Sequence, residues 1–193
     1  MGFFDHDYPR HSPERDREFP DEAVGRNGWI GGAVPEVVVL ARTSDAVVAV
    51  THMAAFPHGL EVTVSSFVRR LPEPWAEHGW PPLPRPGFEG LTDDHLRFGI
   101  EFPGGERVDN IGPESWPPRP GSVEGHGLSW NGGGGGMTGH SWDYWVWPLP
   151  TAGEVSFVCE WPVFNIDETR ASLDAAVLSE AVKRAQRIWP PPA

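Results

Sequence analysis

Along residues 95–102 apolar and polar positions alternate, with Leu96, Phe98, Ile100 and Phe102 on one side and His95, Arg97 and Glu101 on the other. Successive side chains of a strand point to opposite faces, so this period of two predicts a half-buried strand, apolar side inward. The same reading applies to Leu60–Arg69, where Leu60, Val62, Val64 and Val68 share one face against Glu61, Thr63, Ser65 and Arg69. Asp45–Phe56 precedes that segment across Phe56-Pro57-His58-Gly59, whose proline and glycine suit the second and fourth positions of a type I turn. Glu36–Ala41 predicts a short first strand, and Pro103-Gly104 a type II turn into another over Glu106–Asn110.

The richest stretch is 128–161. Leu128-Ser129-Trp130-Asn131 leads into five glycines, Gly132 to Gly136, and then into His140-Ser141-Trp142-Asp143-Tyr144-Trp145-Val146-Trp147. After Pro148–Gly153 comes Glu154–Trp161, in which Val155, Phe157, Cys159 and Trp161 share one face. The expected arrangement is a hairpin with Trp147 opposite Glu154. Val146 then meets Val155, Tyr144 meets Phe157 and Trp142 meets Cys159, giving one apolar face. Trp145, Trp147, Asp143 and Ser141 fall on the other face, together with Glu154, Ser156 and Glu160. The glycine run itself reads as a flexible connection, since glycine-rich segments behave as loose coils.

At the C-terminal end Asn165-Ile166-Asp167-Glu168 can form a capping box, and Leu173, Val177, Ala181, Ala185 and Ile188 recur at helical spacing. A helix is therefore expected over about 166–188, with Arg184 and Arg187 near its end and Pro190 stopping it. Many short strands followed by one amphipathic helix predict a mainly β fold, an antiparallel sandwich with long Pro/Gly-rich loops. Residues 1–28 lack an apolar period and read as a mobile arm, leaving 29–193 as a single domain. Leu71–Gly90 and Pro113–Pro120 are proline-rich loops; Pro81–Pro86 has the look of a polyproline ligand, though a loop packed by Trp75 and Trp80 explains it as well.

Composition narrows the function classes. The formal net charge of −12 argues against nucleic acid or an anionic membrane as partner. Cys159 is the one cysteine, so neither an intrachain disulfide nor a cysteine-based zinc site can form, and its apolar face predicts a buried thiol. No basic leader and no apolar run of about 20 residues occurs, which leads to the expectation of a cytoplasmic location.

The glycine run, Trp142-Asp143, Trp145-Val146-Trp147-Pro148-Leu149-Pro150 and Phe157-Val158-Cys159-Glu160-Trp161-Pro162 together resemble a family of uncharacterised actinobacterial proteins. The similarity extends to Glu168-Thr169-Arg170 and Trp189-Pro190, and more loosely to Leu40–Arg69. It implies a source and no chemistry.

Each chemical motif has a competing plain explanation. A phosphate loop needs a following Lys-Ser/Thr and a helix, whereas Met137-Thr138-Gly139 leads into a strand. His126 and His140 flank the glycines and, with Asp143, form the one metal set worth drawing, but without any recognised ligand spacing. Asp143 and Glu160 share the outer face of the expected hairpin and can be drawn as an acid–base pair. Ser141, His140 and Asp143 can be drawn as a nucleophilic set without a G-x-S-x-G elbow. No cofactor is expected.

The expected function is thus a non-catalytic module that binds a protein partner or self-associates. Its binding residues are Trp145 and Trp147, with Asp143, Glu160 and Trp130 beside them, because aromatics on a polar face mark interfaces. The alternative is a small-molecule or carbohydrate binder, or a hydrolase, using a Trp-lined cleft beside the glycines.

Overall fold

Val48 and Val50, then Met53 and Ala55, are all fully buried, and the switch from even to odd positions marks a β-bulge at Thr51. In this computed structural model, which describes residues 28–72, 91–111 and 125–189, the bulge lies in the longest strand. The strands are β1 (Trp29–Ile30), β2 (Gly32–Val34), β3 (Val38–Arg42), β4 (Ala46–Phe56), β5 (Gly59–Val68), β6 (Arg97–Glu101) and β7 (Arg107–Asp109). They continue as β8 (Gly127–Gly136), β9 (Gly139–Trp147), β10 (Glu154–Trp161), β11 (Ile166–Asp174) and β12 (Gln186–Arg187), with helix α1 at Ala175–Val182. Apart from Gly28 the expected N-terminal arm lies outside the described residues, as do Pro113–Pro120, Pro190 and the proline loop from residue 73 to Gly90 with Trp75 and Trp80.

The fold is mainly β, as the alternation predicts. Two antiparallel sheets face one another: β2–β4–β5–β9–β8, with β3 also on β4, and β11–β10–β6–β7. Their inward side chains form one core, in which Phe98 stacks on Tyr144 of the facing sheet at 5.4 Å and on Phe157 of its own at 6.4 Å. Asn110 ties the sheets together inside that core. Its Oδ1 accepts from Phe98 N at 2.9 Å, and its Nδ2 donates to Leu96 O at 3.0 Å and to the Tyr144 hydroxyl at 3.2 Å. Burial raises the Tyr144 phenol far above the ordinary tyrosine range, so it acts only as a neutral hydrogen-bonding group.

Four expectations need correction. First, β9 and β10 do not pair with each other. β9 lies between β5 and β8, and β10 between β6 and β11, so the chain crosses from one sheet to the other after Trp147. The apolar faces assigned by parity are right: Trp142, Tyr144 and Val146 meet Phe157 and Cys159 through the core, with the two strands in facing sheets. Second, the glycine run is a strand. Gly132 to Gly136 pair with Asp143 to Gly139 past a bulge at Asn131. A ladder uses only backbone donors and acceptors, so a run without side chains can satisfy it.

Third, residues 166–174 are a strand rather than the first half of a helix, and the helix stops at Val182, short of the expected 188, with Gln186–Arg187 pairing with β1 as β12. Asn165 has φ 54 and closes the 3-10 turn Pro162–Phe164 instead of capping a helix, and Glu168 pairs with Arg170. The helix begins at Ala175, capped by Asp174, whose Oδ1 accepts from Ala176 N at 2.9 Å. Its Ala175, Leu178 and Ala181 fill the core beside β2, where Gly32 lies too close to the Ala181 carbonyl for any side chain. Fourth, His95 is buried rather than outward. Its Nδ1 accepts from Thr92 N at 3.2 Å in a short turn, leaving a buried Nε2 without a partner among the described residues.

Candidate functional site

The outer face of the larger sheet is built by the registers of β4, β5, β9 and β8. Thr63 lies opposite Asp143 and donates to its Oδ1 at 2.7 Å; Ser65 lies opposite Ser141, with hydroxyl oxygens 2.8 Å apart. The bulge turns Thr51 toward Ser65, whose hydroxyl it meets at 2.7 Å. Two polar rungs thus cross the sheet side by side, Thr51–Ser65–Ser141 over three strands and Thr63–Asp143 over two. On the fourth strand, Gly132 and Gly134 stand opposite Asp143 and Ser141 and add no side chain. The polar rungs therefore end on a bare backbone shelf at the edge of the sheet.

The glycines of that shelf divide into two kinds. A Cβ at Gly133 would lie well under 3.0 Å from the Ser141 carbonyl oxygen, and one at Gly135 would strike Gly139 O and lie 2.8 Å from His140 Nδ1. Close backbone approach requires glycine at both. At Gly134 and Gly136 a Cβ would meet nothing within 4 Å, and at Gly132 only Asp143 Oδ2 at 3.8 Å. Packing makes no demand for glycine at these three positions.

The outward tryptophans are largely spoken for. Trp147 is only 6% exposed, its ring lies over Gly127 where a Cβ would collide with it, and its buried Nε1 has no partner among the described residues. Trp145 is half-buried, over Gly59 and edge-on to Phe56 at 5.3 Å. Glycine beneath an aromatic ring on the neighbouring strand is a packing device, and it leaves Trp145 as the one partly open aromatic of the pair.

The remaining sequence-predicted residues do not converge here. Trp130 lies opposite Tyr144 and packs inward against the core. Glu160 sits in the other sheet, ion-paired with Arg97 and so on the far side of the sandwich from Asp143. Those two carboxylates therefore form no acid–base pair. His140 points inward beside Trp142 at 4.6 Å, its pKa lowered by burial, while Ser141 and Asp143 point outward, so no nucleophilic set assembles. His126 packs on Phe102 at 4.4 Å, at the opposite end of the β8–β9 hairpin from His140. Among the described residues no three His, Cys, Asp or Glu side chains have metal-holding geometry.

Cys159 is buried beside Thr169 Oγ1 at 3.3 Å, and burial pushes its thiol above the ordinary range. Among the described residues no helix is long and apolar enough to cross a membrane. No protein-family model, curated protein or solved structure matches this chain.

Proposed function

We propose that this chain is a non-catalytic cytoplasmic interaction module that self-associates through the edge of β8. The observation that carries the reading is glycine at open positions of an edge strand. Among the described residues β8 ends its sheet and pairs only with β9, and none of them crowds a Cβ at Gly132 or Gly134. Glycine weakens a strand, so a run of it at an edge is costly unless another backbone approaches there. Edges are ordinarily blunted by charge or proline, and the Asn131–Gly136 segment has neither.

A second copy suits this edge for two reasons. Two identical edges related by a two-fold axis are self-complementary, and bare backbones bring no side-chain mismatch. Asp143 is also the only charged residue between Gly127 and Trp147, so acidic copies can meet there with little repulsion. The net charge of −12 supports a protein partner over nucleic acid or an anionic membrane. The test is amide hydrogen exchange at Gly132–Gly135 over a range of protein concentrations. Protection that rises with concentration supports the edge, and exchange independent of concentration refutes it.

A second reading is favoured by Trp145 standing next to the hydroxyl-bearing rungs and Asp143, an arrangement suited to a polyhydroxylated ligand. Tryptophan fluorescence during titration with a neutral oligosaccharide checks it. A saturable change lost in Asp143→Ala supports that reading, and no change refutes it.

A further inference from the structure

The outer face of the larger sheet carries a depression at the end away from Trp145. Arg42, Val47, Phe67 and Gly139 stand in register there across β3, β4, β5 and β9. Their strand neighbours Ala41, Val48 and Val68 are buried in the core, so this row points outward. Arg42, Val47 and Phe67, with Arg69 and the Thr43–Asp45 turn, line a depression of about 420 Å³. At ~30 Å³ per water that is room for about fourteen water-sized groups. The Phe67 ring leans toward Gly139, where an added Cβ would meet its Cδ1 at 3.6 Å, yet the residue remains 52% exposed.

Two unengaged guanidiniums line it. Among the described residues the other cations have partners: Arg97, Arg107, Arg170 and Lys183 pair with carboxylates, Arg184 donates to backbone carbonyls and Arg187 lies over the Trp29 ring. The guanidiniums of Arg42, Arg69 and the adjacent Arg70 make no such contact among the described residues, in a chain of net charge −12. The polar groups of the turn serve the turn itself. Thr43 Oγ1 accepts from Ala46 N at 3.1 Å and from Asp45 N at 3.3 Å, and Ser44 Oγ donates to Asp45 Oδ2 at 2.8 Å. The lining thus sets Arg42 and Arg69 against the Asp45 carboxylate, which pairs with neither, and one positive charge is in excess. A single exposed guanidinium holds an anion weakly, because water already solvates it. Two of them beside an exposed aromatic ring offer charge-assisted hydrogen bonds and apolar contact together.

We propose that this depression binds a small aromatic carboxylate. Its oxygens accept from Arg42 and Arg69, whose planar forks match carboxylate geometry. Its ring packs on Phe67 and Val47, which line the same depression. One negative charge matches the surplus of the lining. An aliphatic acid would leave the Phe67 ring uncovered, and a neutral aromatic would leave both guanidiniums without an acceptor. A polyanion such as nucleic acid would meet the repulsion of the chain's net charge of −12. In the sheet order β9 separates Phe67 from the β8 edge, so this site stands apart from self-association there.

The test is an amide NMR titration of the full chain with phenylacetate, up to about 10 mM, at fixed protein concentration. Acetate, with the charge alone, and phenylacetamide, with the ring alone, are the controls. Saturable shifts at Val47 and Phe67 are expected with phenylacetate, with each control at least about tenfold weaker. Arg42→Gln and Arg69→Gln each remove an exposed charge, and each should weaken phenylacetate about tenfold with an unchanged melting temperature. Phe67→Ser should weaken phenylacetate and leave acetate unaffected. Absence of saturable shifts in the folded native chain, acetate or phenylacetamide binding as tightly as phenylacetate, or undiminished binding by either arginine variant would each overturn the proposal.

Discussion

Replacing Gly133 with Ala and Gly134 with Thr, one residue apart, should move stability in opposite directions. At Gly133 the new Cβ lies well under 3.0 Å from the Ser141 carbonyl oxygen and 3.2 Å from Trp142 Cα, at a φ of 155 that side-chain-bearing residues rarely adopt. Overpacking of this kind costs about 1–3 kcal/mol, and the backbone conformation about 1–3 more. At Gly134 the new side chain enters open space, removes glycine's entropic penalty of about 0.5–1 kcal/mol and adds a β-branched residue to a strand. The two variants should therefore differ by at least ~2.5 kcal/mol, or about 5 °C or more in melting temperature at ~2–4 °C per kcal/mol. Thermal and urea unfolding at low protein concentration measure this directly. If the run were a loose loop, both changes would be near neutral, within about 0.5 kcal/mol. Equal, small effects would refute the strand assignment.

Three further outcomes follow from the packing. Trp147→Ala removes a buried ring and should cost about 3–5 kcal/mol, with Trp145→Ala, half-buried, costing clearly less; equal losses in thermal melts would contradict this burial. Asn110→Ala leaves the Phe98 N–H and Leu96 C=O buried without partners, at about 1–3 kcal/mol each, and urea unfolding showing a loss below about 1 kcal/mol would show the network to be idle. The hydrogen bond from Arg170, then that from Arg107, holds the Glu101 carboxyl below the ordinary glutamate range. Its contribution is full above that range and disappears as pH falls through the lowered value. The stability gap between the native chain and Glu101→Gln should thus close in acid, and a gap that persists there would contradict the pairing.

Parity along the strands revealed faces but not neighbours. Trp142, Tyr144, Val146, Val155, Phe157 and Cys159 all point inward as their alternation requires. The same alternation fits a hairpin and two facing sheets equally well. The true partners of β9 and β10 are β5 and β8, and β6 and β11, and no local signal specifies pairings so distant in the chain. Composition misled at the glycines, because a backbone ladder needs no side chains; the bulk of His140 and Trp142 behind Gly133 and Gly135 was the usable clue. In Ile166–Asp174 the helix-like spacing of Leu173 with later alanines masked a period of two, Thr169, Ala171 and Leu173 against Glu168, Arg170 and Ser172.

The smaller sheet shows the same limit. The alternation of β6 was visible, but the ion pairs that Glu160, Arg107 and Arg170 make with its Arg97 and Glu101 follow only from register. Similarly, the outward direction of Trp147 followed from parity, whereas its burial depends on Gly127 of a neighbouring strand.

Sedimentation velocity of the native chain and of Gly134→Lys, each over a range of concentrations, tests the β8 edge most directly. A Cβ at position 134 meets nothing within 4 Å among the described residues, so the monomer should keep its melting temperature while a charge is placed on the edge. The native chain should shift from monomer to dimer as concentration rises, and the variant should remain monomeric throughout. A native chain that stays monomeric, or a dimer that survives the lysine, would contradict self-association through β8.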